Sequence, residues 1–182
     1  ELFQNEMVLR HFISAVLAIR PEDIRTIRLK NTFLRRRYRK QKQGILDILA
    51  EMNDHSKINI ELQVKHYAYW DRRQLFYLSK LYTEDMRIGE DYALLKKCVS
   101  ISILDFNLTN RNEYHHAYRL RDKHGYEFSD MLEIHTLELK KKLKETAEMD
   151  ELEEWIRFFQ ADCEEDLDMI KTKNPGILEA IK

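Results

Sequence analysis

Apolar and polar side chains alternate along residues 57–65, where Ile58, Ile60, Leu62 and Val64 interleave with Asn59, Glu61, Gln63 and Lys65. A period of two predicts a strand with one apolar and one polar face, and it puts Glu61, Gln63 and Lys65 on the same side. Gly44-Ile45-Leu46-Asp47-Ile48 reads as a partner strand, apolar except for Asp47. The intervening Asn53-Asp54-His55-Ser56 is rich in turn residues, so the two strands are expected to form a hairpin.

Helical spacing dominates elsewhere. Met7, Leu9, Phe12, Ile13, Val16 and Leu17 predict a helix over residues 3–19, stopped by Pro21. Residues 24–34 suggest a strand leading into the basic run Arg35 to Lys42. Residues 68–87 predict a long helix with Leu75, Leu78, Tyr82 and Met86 as its apolar stripe. Arg73, Tyr77, Lys80 and Glu84 share another face of it. Gly89 to Tyr92 ends that helix, and residues 97–106 are apolar enough for a central strand. Residues 114–121 and 131–139 predict two more strands, with a turn at Asp122 to Gly125. Residues 150–170 form an acidic amphipathic helix with Leu152, Trp155, Ile156, Phe159, Cys163, Leu167 and Ile170 inward. Asn174-Pro175-Gly176 breaks it before a short last helix. With no internal repeat, low-complexity tract or flexible linker, residues 1–182 are expected to be one α/β domain, a mixed sheet flanked by helices.

Composition narrows the class. A chain of 182 residues, 43% hydrophobic and 35% charged, can bury a real core and stay in solution. No apolar run approaches the ~20 residues of a membrane span, and no signal-peptide pattern opens the chain. Cys98 and Cys163 are too few and too far apart for a disulfide framework or a zinc site, which fits a reduced cytoplasm. The net charge of −1 conceals a polarised chain: residues 1–42 hold eleven Lys/Arg against four Asp/Glu, and residues 148–168 hold ten Asp/Glu against one Arg.

The candidate chemistry lies on the hairpin. If its strands pair, Asp47 and Glu61 share a face within reach of one ion. Two such carboxylates repel each other, and a divalent cation relieves that repulsion; an oxygen-only donor set suits Mg²⁺ or Mn²⁺. The cluster containing Arg35, Arg36, Arg37 and Lys42 reads either as a phosphate-contacting surface beside that site or as a solvated basic loop. Glu6 is either an additional acid for the metal or a surface carboxylate. Arg73 either clamps a phosphate or pairs with the buried acids. Trp70, Phe76 and Tyr77 are assigned to the core. His115, His116 and His135 are read as packing or surface residues rather than zinc ligands, with Glu133 and His135 on one strand face.

Asp47 followed by Glu61-x-Gln63 resembles the D…E-x-Q/K core of the PD-(D/E)XK nucleases. Gly44 to Asp47, Ile60 to Gln63, Arg73-x-x-x-Tyr77-x-x-x-Leu81-Tyr82, Gly89 to Tyr92, Ile101 to Phe106 and Leu132 to Leu139 together resemble the PD-(D/E)XK family transposases, also called recombination-promoting nucleases. The resemblance runs over nearly the whole chain and implies family sequence beyond both ends. It implies a restriction-endonuclease-like fold and Mg²⁺-dependent (or Mn²⁺-dependent) hydrolysis of DNA phosphodiesters. Asp47, Glu61 and the Leu62 carbonyl would hold the metal. Gln63 stands where the superfamily has a lysine, and this family commonly carries Gln there. Lys65, two residues further on, is the candidate for the missing charge. Arg35, Arg36, Arg37, Lys42 and Arg73 are the implied DNA contacts. DNA is the implied partner, no membrane is, and a homodimer is compatible with the pattern. The alternative is a nuclease-fold module that has lost catalysis and only binds DNA or protein.

Overall fold

The computed structural model describes residues 2–34, 44, 45, 47–143, 149–168 and 170–182. Helix α1 spans Glu6–Leu17, with Asn5 capping it by accepting from the Met7 and Val8 amides. It ends at Ala18, which takes a left-handed conformation (φ 53°), and Pro21 opens a separate 3₁₀ turn. The strands that follow are β1 (Ile27–Leu29), β2 (Phe33–Leu34), β3 (Gly44–Ile45), β4 (Ile48–Met52) and β5 (Lys57–Gln63). Helix α2 covers Trp70–Thr83, and β6 (Cys98–Leu104), β7 (His115–Arg121) and β8 (Glu127–Glu138) complete the strands. Helices α3 (Glu151–Gln160), α4 (Glu164–Asp168) and α5 (Pro175–Ala180) close the chain.

Six strands form a mixed sheet in the order β1-β4-β5-β6-β8-β7, while β2 and β3 pair separately. The predicted hairpin is present, antiparallel, with Ile48 opposite Ile60 and the turn at Asn53–Ser56. Strand β6 is central as expected, running parallel to both β5 and β8, and its seven residues are all buried. Helices cover both faces. Ile58, Ile60, Val99, Ile101, Ile103 and Leu137 pack against Phe12, Ile13, Trp155 and Ile177 of α1, α3 and α5. On the opposite face Leu49 and Cys98 pack against Leu78 and Leu81 of α2.

Several boundaries differ from the sequence expectation for physical reasons. The residue 24–34 strand is two short pieces. The inward face of α2 is Trp70, Gln74, Leu78 and Leu81 rather than the apolar stripe through Leu75 and Met86; Leu75 is 56% exposed. A polar residue, Gln74, sits within the buried stripe, so a search for apolar periodicity slides off it. Phe76 is exposed rather than core, whereas Trp70 is buried. The acidic helix is two helices, and Cys163, expected inward, is exposed between them.

Buried charge pins the far side of the sheet. Glu138 is fully buried. It accepts from the Leu108 and Thr109 amides and the Thr109 hydroxyl at 2.8–3.2 Å, which fixes the loop after β6. Glu133 is bound by Arg119, Lys97 and His135. Burial alone would raise its carboxyl, but these hydrogen bonds outweigh burial and hold it well below the usual carboxylate range. The His135 ring links two groups, with Nε2 3.0 Å from the Glu133 carboxylate and Nδ1 2.9 Å from His115 Nε2.

Two predictions follow from this packing. A Cβ at Gly176 would lie 2.5 Å from the His11 Cβ and 3.1 Å from the Trp155 ring. Gly176→Ala is therefore expected to cost about 1–3 kcal/mol, read as a lower urea midpoint. His115 is pushed down to about 4, first by burial and then by the neighbouring His135. Between the unfolded value of about 6.5 and that folded value, only the unfolded chain takes up the proton, so stability falls as pH drops through this window. The urea midpoint should fall between about pH 7 and about pH 5, and His115→Gln should narrow the difference.

Candidate active site

The site forms where β4 runs out and β5 continues. The β4–β5 ladder stops at Ile48 opposite Ile60, and one further step places residue 47 across from residue 61. Asp47 lies at a bend just before β4 and is exposed, so the apolar run around it does not bury its carboxylate. Its Oδ2 accepts from the Leu62 amide at 3.3 Å. A strand residue sends its N–H and C=O to the same side, so the Leu62 carbonyl also faces the space beside Asp47 where the ladder has ended. The Leu62 side chain is 56% exposed.

Glu61 is in the opposite situation, only 4% exposed beneath α2. A buried carboxylate is costly without partners, and α2 supplies two. Arg73 Nη2 donates to Oε1 at 2.7 Å, and Gln74 Nε2 donates to Oε2 at 2.6 Å. Ser100 on β6 donates to the Gln74 carbonyl oxygen at 3.0 Å, which fixes the amide with its NH₂ toward Glu61. Arg73 also reaches the Gln63 side-chain oxygen (3.4 Å) and lies over the Tyr77 ring, 5.3 Å from its centre. One guanidinium thus joins positions 61 and 63 of the strand. The polar face expected on β5 is present but is turned under α2 rather than toward water.

The same row continues across the sheet. Glu61 is in register with Ser102, Ser102 with Thr136, and Thr136 with His116. The Ser102 and Thr136 hydroxyls are buried without a hydrogen-bond partner among the described residues.

The structure brings together Asp47, Glu61, Leu62, Gln63 and Arg73. It does not bring Lys65 into the group: β5 ends at Gln63, whose carbonyl accepts from Asp105 (3.0 Å), and Lys65 lies exposed at a bend beyond the strand rather than on its face. Arg35, Arg36, Arg37 and Lys42 lie outside the described residues. Glu6 pairs with Arg10 at the start of α1, a helix on the other side of the sheet. Sequence reasoning missed Gln74. Its one sequence signal is position, four residues after the buried Trp70 and four before Leu78.

Among the described residues no three His, Cys, Asp or Glu side chains converge as a metal cage. The donors fit a hard cation that keeps much of its water: an accessible carboxylate with a single hydrogen bond among the described residues, a second carboxylate in register with it, and a carbonyl beside them. Each carboxylate also retains lone pairs beyond those used here.

A mixed six-stranded sheet, helices on both faces and an acid pair at the exposed end of the central hairpin define a restriction-endonuclease-like α/β fold of the PD-(D/E)XK type. The family model for PD-(D/E)XK nuclease family transposases matches residues 1–182, and the chain belongs to that family. No curated protein and no solved structure matches the chain.

Removing Arg73 would strand a buried carboxylate. Arg73→Ala is expected to cost about 3 kcal/mol in urea unfolding. Glu61→Gln in the same background should restore much of it, because no buried charge is then left unpaired; the coupling is read from the double-mutant cycle.

Proposed function

We propose that the chain is an Mg²⁺-dependent DNA endonuclease that hydrolyses phosphodiester bonds at the Asp47–Glu61 pair. The observation that carries this is the cross-register placement of the two acids, one open to solvent and one rigidly held by Arg73 and Gln74. Such a pair is expensive to assemble for packing alone, since apolar residues would fill the same space without buried charge. Asp47, Glu61 and the Leu62 carbonyl would hold the ion. When bound, it would supply Lewis acidity at the scissile phosphate and lower the pKa of a coordinated water.

The remaining residues take roles set by position. Gln63 would orient the attacking water through its amide, and a neutral amide brings no positive charge to the phosphate. Arg73, at 3.4 Å from Gln63, supplies a fixed cation at that point of the strand, in the place where the superfamily's lysine charge would otherwise act. Its fork is permanently charged. Lys65, outside the cluster and exposed, would reach DNA only as a mobile phosphate contact.

A second reading rests on the same contacts. Both oxygens of Glu61 already have donors, so a chain that had lost catalysis could keep this pair as structure and act as a DNA-binding or protein-binding module. Plasmid nicking separates the two. The wild-type protein should nick supercoiled plasmid with Mg²⁺ or Mn²⁺ and not with EDTA. Asp47→Ala should lower the rate by about two orders of magnitude or more with its circular dichroism unchanged, because Asp47 is exposed. Undiminished nicking by Asp47→Ala removes the residue from the site, and an inert wild-type protein favours the module.

A further inference from the structure

The parallel strands β5, β6 and β8 end together, so the segments that follow them share one rim of the sheet with the acid pair. On this rim lies an open cleft of about 440 Å³ whose lining includes Asn107, Asn110, Arg111, Asn112, Lys140 and Lys142. Among the described residues no acidic side chain lines it. Resting on the nuclease reading, we propose that this cleft is a phosphate-binding track for the DNA backbone next to the scissile site, with Arg111 and Lys142 as its charged contacts.

The cleft is built rather than incidental. The buried Glu138 carboxylate holds the loop at Leu108 and Thr109. Lys141 Nζ donates to the carbonyls of Thr109 and Arg111, closing the loop from beneath. These contacts commit Lys141 to the fold. Lys140 is committed to Asp105 at 2.8 Å, which offsets that carboxylate's charge. Arg111 and Lys142 are exposed, and neither forms an ion pair with a described carboxylate. Three asparagine amides add neutral donors, a composition that contacts phosphates without reading bases.

Connection to the acid pair is direct. The Asp105 amide donates to the Gln63 carbonyl at 3.0 Å, and the Phe106 ring meets His66 edge-on at 5.3 Å between centres. Strand β8 lies two strand spacings from β5, or about 10 Å. At about 3.4 Å of axis per phosphate in each strand, the track would meet phosphates roughly three nucleotides from the bond cut. Beyond the cleft the charge changes sign. Asn112 and Lys142 also border a neighbouring hollow lined by Glu113, Asp150 and Glu153, which would repel DNA and so marks the end of the track.

The test uses the full chain and a fluorescent duplex of random sequence, with binding followed by anisotropy in EDTA across a salt series. Arg111→Ala with Lys142→Ala should weaken binding roughly ten- to hundred-fold near 0.1 M salt and flatten the log–log salt slope by about 2. Mn²⁺ binding by the Asp47–Glu61 pair, read by electron paramagnetic resonance, should be unchanged. Arg111→Glu with Lys142→Glu should weaken binding further, with circular dichroism reporting the fold. Unchanged affinity and slope in both variants would overturn the proposal. So would lost binding to polyglutamate with duplex binding intact, which would make the cleft a protein-docking surface. The two readings fail separately: if Asp47→Ala leaves nicking intact while the Arg111/Lys142 variants lose DNA, the track stands and the catalytic assignment falls.

Discussion

Glu61 has almost no access to water, and much of the local architecture answers that fact. A lone buried carboxylate would be protonated or would unfold its surroundings. Here α2 lies across the sheet with Arg73 and Gln74 facing down, and β6 contributes Ser100 to fix Gln74. Helix, neighbouring strand and hairpin are thus tied to one charged group. The arrangement also explains why β5 bears polar residues on a face that is not solvated: its alternation separates two buried environments, one apolar and one hydrogen-bonded.

Asp47 illustrates the complementary requirement. Its carboxylate is approachable because the β4–β5 ladder ends at Ile48, one residue short of it. The termination also leaves backbone groups of Leu62 unclaimed by β4, one of which Asp47 takes up. Rigidity on the Glu61 side comes from α2 and β6, and openness on the Asp47 side from the break in strand pairing. Arg73 adds fixed charge at the junction, so the neutral Gln63 is not electrostatically alone.

Local patterning made much of this legible. Period-two alternation located β5, turn residues located the hairpin, and the unbroken apolar run of β6 announced its central place. The family resemblance pointed to Asp47 and Glu61, and the structure places them across from each other where the β4–β5 ladder ends. What escaped was the polar content of interfaces. Gln74 looks like a surface residue until a carboxylate is known to lie below it, and Leu75 looks like core until the helix is rotated to present Gln74. Lys65 was expected on the strand face because the alternation continues through it, yet hydrogen bonding to β6 and the loop after it ends at Gln63 and the chain bends. Glu138 as the anchor of a distant loop has no signature in the linear chain, because its partners lie some thirty residues away.

Helix α5 packs on α1, where Gly176 comes close enough to His11 and Trp155 to exclude a methyl group, and Asn5 bonds Glu179. The two ends of this stretch therefore complete one apolar layer. During synthesis at ~5–20 residues per second, α1 would wait roughly ten to thirty seconds for the segment that covers it. Until then Phe12 and Ile13 would have the sheet and α3 to pack on but not the last side of their layer. This topology leaves the layer incomplete until α5 is made, and it would penalise premature termination even a few codons short of α5.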